Sequence, residues 1–90
     1  MDFKEEILKV ITGQLDIEKI LDKVGRTYGA IHKTRPIIYG GIKGVLIWDY
    51  IVWNELTFLD ENKKITSLKT SFSDEEMEKE FNYHLEKYGI

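Results

Sequence analysis

The side chains best suited to chemistry are few in this chain of ninety residues. It has no cysteine, so thiol nucleophiles and Cys-based zinc sites are excluded, and its two histidines, His32 and His84, stand half a chain apart. No metal site is expected from so sparse a donor set. The cluster Gly40-Gly41-Ile42-Lys43-Gly44 matches no phosphate-cradling pattern, and no serine stands with a histidine and an acid in a hydrolase arrangement. The chain therefore reads as a non-enzyme without catalytic residues or cofactors, and the Gly-Gly-x-x-Gly stretch reads as a turn into a strand.

Charge carries more information than nucleophiles do. No carboxylate lies between Asp22 and Asp49, whereas Lys23, Arg26, Lys33, Arg35 and Lys43 fall in that interval, and both flanks are acidic. The overall net charge of −3 thus conceals a basic island, and a local positive field recruits anions even on a slightly negative molecule. At the other extreme Asp74, Glu75, Glu76, Glu78 and Glu80 crowd the start of a C-terminal segment, where acids in the first turn would meet a helix dipole favourably.

The elements that position these charges are legible in the spacing. Phe3, Ile7, Val10 and Ile11 recur on one helical face, and Gly13 stands where that helix, about 2–12, would stop. Asp16 is a good N-cap for a second helix carrying Ile17, Ile20, Leu21 and Val24, with Gly25 as its exit. Thr27 could cap a third, short helix to Arg35, which Pro36 would end, although Thr27, Tyr28, Ile31 and Thr34 suit a strand equally well.

Beyond Pro36 the composition turns to sheet. Val45 to Leu59 is dense in β-branched and aromatic residues, too long for one unbroken strand, so a bend is expected near Asp49 or Asn54. Asp60-Glu61-Asn62-Lys63 reads as a hairpin turn, residues 65–72 as a second strand, and Ser73 with Glu76 as the capping box of a last helix with Met77, Phe81, Leu85 and Tyr88 on its buried stripe, ending at Gly89. The expected architecture is a single α+β domain over 1–90. It has two or three N-terminal helices in 1–35, a long antiparallel β-hairpin or small meander in 36–72, and a C-terminal amphipathic helix in 73–89.

Residues 16–35 combine an amphipathic helix, a Gly turn and a short basic segment, the build of a helix-turn-helix. Gly25-Arg26-Thr27, followed by Ala30-Ile31 and Arg35, resembles the last part of the Myb-like or SANT-like tri-helical domains, over residues 3–35. The resemblance implies binding of double-stranded DNA by a cytoplasmic regulator working as a homodimer. Arg26, Thr27 and Tyr28 would meet phosphates or base edges at the helix start, His32, Lys33 and Arg35 would enter the major groove, and Lys63 and Lys64 would grip an adjacent phosphate as a wing.

A protein-interaction module is the competing expectation. Both parities of the long strand are apolar, with Trp48, Tyr50, Val52, Leu56 and Phe58 on one and Val45, Ile47, Ile51, Trp53 and Leu59 on the other. A small domain has few helices to cover two faces, so unless the register breaks at Asp49 or Asn54, one face or an edge is expected at a homodimer or partner interface, with Trp48, Tyr50, Trp53 and Phe58 in it. An immunity-like or antitoxin-like inhibitor, or an accessory protein of a mobile element, would fit that pattern, its acidic surface serving solubility or meeting a basic partner. The acidic amino terminus is not that of a signal peptide and no apolar run is long enough for a membrane span, so no membrane partner is expected.

Overall fold

The computed structural model describes residues 3–24 and 29–90. Helix α1 spans Phe3–Ile11, α2 is a single turn at Glu18–Leu21 continued by a 3-10 turn at Asp22–Val24, and strands β1 to β4 span Ala30–Tyr39, Ile42–Tyr50, Asn54–Asp60 and Ile65–Phe72, before helix α3 at Asp74–Tyr88. The strands form one antiparallel sheet in the order β1-β2-β3-β4, an uncrossed meander.

Each turn of the meander has a local chemical cause. Gly40 and Gly41, both at positive φ, form a two-residue connection between β1 and β2, a backbone that glycine enters without strain. Between β3 and β4 the Asp60 carboxylate accepts the N–H groups of Asn62 (2.8 Å) and Lys64 (3.1 Å), adding to the backbone bonds from Lys63 N–H to the Asp60 carbonyl and from Asp60 N–H to the Lys64 carbonyl. Gly44 answers a different need: a Cβ there would lie 2.4 Å from the Leu59 carbonyl oxygen and 2.6 Å from the Phe58 ring, so only glycine lets β2 approach β3 this closely.

Alternation along the strands divides the core in two. Val45 and Ile47 of β2 join Leu59 of β3 beneath α1 and α2, where Ile7, Ile20 and Leu21 complete one cluster. Leu46 and Trp48 point the other way and, with Ile37, Leu56 and Phe58, receive Met77 and Phe81 of α3. The molecule is thus a helix–sheet–helix sandwich. The two apolar strand parities, one face or edge of which is expected from the sequence to need another subunit, are covered by the chain's own helices, because α1 and α2 take one and α3 the other.

Several expectations are corrected here. The third helix is absent from the described residues: from Ala30 onward the segment is a strand paired with β2 from Ala30↔Tyr50 to Tyr39↔Ile42, as the β-branched content of Ile31, Thr34, Ile37 and Ile38 favours. Pro36 is tolerated because β1 is an edge strand. A tri-helical Myb-like domain would be wholly helical, so the four-stranded sheet overturns that resemblance and the helix-turn-helix with it. The second helix is also shorter than its apolar spacing implies, and the sheet begins at Ala30 rather than Pro36. Finally, the break in the long strand falls at residues 51–53, between Asp49 and Asn54 as expected, but there the chain reverses, so that one strand becomes two antiparallel ones, β2 and β3. By contrast α1, the Asp60 turn, the Ser73 cap and the helix end at Gly89 stand where the spacing puts them.

Candidate functional site

A β-bulge builds the most distinctive surface of the molecule. The register of β1 on β2 slips between Ile31, which faces Asp49, and Lys33, which faces Trp48, leaving His32 as the extra residue. A bulge re-aims side chains, and here both His32 and Lys33 come over Trp48 on the α3 face. The His32 ring lies 4.3 Å from that of Trp48, and the Lys33 ammonium lies 5.8 Å from the Trp48 ring and 3.9 Å from a Glu78 carboxylate oxygen.

Beside this stack opens a cleft of about 610 Å³ lined by His32, Trp48, Tyr50, Asn54, Asp74, Glu75 and Glu78. Its floor is held by one buried side chain. The Trp48 indole N–H donates to the Asn54 side-chain oxygen at 2.8 Å, and the Asn54 amide nitrogen donates to the Asp74 carboxylate at 2.7 Å and to the Phe72 carbonyl at 3.0 Å. The first turn of α3 is thereby tied to the end of the sheet. Ser73 caps that turn, its hydroxyl accepting the Glu76 N–H at 3.3 Å, so the helix start is satisfied internally and Asp74, Glu75 and Glu78 face the opening.

The sheet end next to the cleft is apolar. Tyr50, Ile51, Val52 and Trp53 run through the β2–β3 turn half or more exposed, Val52 at 70%, and Phe72 is exposed at the close of β4 opposite Asn54. Contiguous large apolar side chains at a tip, rimmed by charge, are unlike the singly scattered ones of ordinary surfaces.

Of the described residues expected to form a DNA surface, His32 and Lys33 meet over Trp48, while Lys63 and Lys64 lie elsewhere. Arg26, Thr27 and Tyr28 lie outside the described residues. Lys33 stands over Trp48, and Arg35 donates to the neighbouring Thr34 carbonyl at 2.7 Å. Lys63 and Lys64 sit in the β3–β4 turn, at the far edge and the opposite end of the sheet, where the Lys63 ammonium lies 5.3 Å from the Phe3 ring on the α1 side. Of the residues expected at an interface, Trp48 and Phe58 belong to the core beneath α3, while Tyr50 and Trp53 are exposed. His84, buried with its Nδ1 2.7 Å from the Glu80 carbonyl, is enclosed by α3's own tyrosines, Tyr83 and Tyr88. Among the described residues, no three His, Asp or Glu side chains are placed to share a metal ion.

Asn54, Asp74, Glu75 and Glu78 enter the site from segments that sequence spacing treats as a bend and a helix start. Only the pairing of β3 with β2 and β4 brings them to Trp48. The chain matches no protein-family model, no curated protein and no solved structure. Among the described residues no helix is long and apolar enough to cross a membrane.

Proposed function

We propose that this chain is a non-catalytic protein-interaction module that docks through the end of its sheet, using Tyr50 to Trp53, Phe72 and the acidic cleft beside them, onto a basic face of another protein. The observation that carries this reading is the exposed apolar tip of a molecule whose two sheet faces are already covered from within. A tip that is neither needed for the core nor hidden by it is suited to a partner's apolar patch, and Trp and Tyr are the residue types that dominate such contacts. The carboxylates of α3 supply the sign: they favour a cationic partner and disfavour both nucleic acid and anionic lipid. An inhibitor of immunity-like type, masking a cationic target with an acidic surface, is one form that such a module takes.

Photo-crosslinking in the source cells tests the reading. A benzophenone amino acid at position 53 should give a discrete adduct, and the same group at position 86, near the far end of α3, should not. The adduct at 53 should disappear in a Glu75→Lys plus Glu78→Lys variant. Equal adducts at both positions, or none at 53, would overturn the docking surface, and an adduct with a second copy of this chain would replace the basic partner with self-association.

A further inference from the structure

We infer that the cleft between α3 and the β2 end receives an arginine side chain from the docked partner, with the guanidinium against the exposed rings of His32 and Tyr50 and its N–H fork directed to the carboxylates of Asp74, Glu75 and Glu78. This deepens the docking reading and rests on it. Two independent properties of the cleft converge on a cation. One is the aromatic wall, in which the half-exposed Tyr50 and the exposed His32 cover the buried Trp48, and the face of a tyrosine attracts cations within about 6 Å of the ring centroid. The other is the carboxylate rim, and among the described residues its ion-pair partner is a single cation, Lys33 on Glu78. Setting Lys33 and the roughly half-unit positive end of α3 against three carboxylates still leaves the cleft negative.

The chain itself shows that this wall accepts a cation. Lys33 is held there by the bulge, with its ammonium 5.8 Å from the Trp48 ring and 5.9 Å from that of Phe81. It stands at the margin, leaving the space between Tyr50, Asn54 and the first turn of α3 open. That space lies within the range of about 300–1,000 Å³ typical of ligand sites, larger than one side chain needs, so the residues flanking the arginine would enter with it. Arginine is favoured over lysine because a planar guanidinium stacks on rings and bonds carboxylates through two donors at once, whereas an ammonium is a compact, strongly hydrated point charge.

Three blocked tripeptides decide the matter by nuclear magnetic resonance titration at low salt: acetyl-Gly-Arg-Gly-amide, its lysine counterpart, and its citrulline counterpart, which keeps the shape and loses the charge. The arginine peptide should shift the Trp48 indole and Asn54 side-chain N–H signals saturably, and bind about threefold to tenfold more tightly than the lysine peptide, the range expected of a stacked bidentate contact over a point charge. Citrulline should leave both signals in place. A Glu75→Gln plus Glu78→Gln variant should weaken the arginine peptide by about fivefold or more, as loss of screened ion pairs implies, and Lys33→Met should tighten it by removing the resident competitor. Equal shifts from arginine and citrulline, or weaker arginine binding in Lys33→Met, would overturn the inference. A crosslink at position 53 that persists alongside such a result would leave the docking surface standing and remove only the arginine; loss of the crosslink with peptide binding intact would do the reverse.

Discussion

Asn54 joins three parts of the molecule through one amide. Its oxygen holds the Trp48 indole in β2, and its nitrogen reaches both the end of β4 and the first residue of α3. Trp48, at 4% exposure, cannot turn its indole N–H to water for a substitute acceptor. Asn54→Ala is therefore expected to cost about 1–3 kcal/mol, the penalty of stranding a buried donor, read as a lower urea midpoint with an unchanged slope. It should also shift the indole N–H signal of Trp48 and leave that of Trp53 in place. From the sequence alone, Asn54 is legible only as a place where a strand bends, because what makes it central is a partner eighteen or twenty residues away in the chain. His32 is similarly opaque: a bulge is a property of two paired strands, and no spacing within β1 announces it.

At the scale of elements, what was legible had a local cause and what was not had a distant one. Helix α3 begins and ends where Ser73 and Gly89 place it, because capping is chemistry between neighbours: the Ser73 hydroxyl accepts from Glu76, and the Gly89 N–H closes on the Leu85 carbonyl at 2.8 Å. Ser73→Ala should lower stability by about 1 kcal/mol, measurable by thermal or urea unfolding, and should loosen the cleft, since the same turn carries Asp74 and Glu75. The segment before Pro36 was ambiguous for the opposite reason. Thr34 and Ile31 fit a helix or a strand, and the choice is made by β2, whose Asp49 to Ile42 edge offers a ladder that a short helix containing Gly29 could not rival. Likewise α2 keeps only one turn although Ile17, Ile20, Leu21 and Val24 have helical spacing; burial of Ile20 and Leu21 against β2 and β3 holds it in place.

At the scale of the whole molecule, a Cα radius of gyration of 12.2 Å matches the roughly 12 Å expected of a compact domain of this length. Both core clusters are closed by the chain's own helices, so the protein is expected to run as a monomer of 10.6 kDa in light scattering at micromolar concentration, in place of the dimer that two apolar strand parities suggest. A measured dimer whose dissociation followed Trp53→Ser would assign the exposed tip to self-association. The two sheet edges are not equivalent in this respect. Along β1, the outer edge is met towards its end by Gly89, which bridges to Ile37 as the chain leaves α3, whereas β4 is the other margin of the sheet. A margin that carries both this bridge and Pro36 is a poorer template for a further strand than the β4 margin. Two copies joined margin to margin through β4 would consume both of the better edges, so the fold favours a closed pair over growth into a fibre.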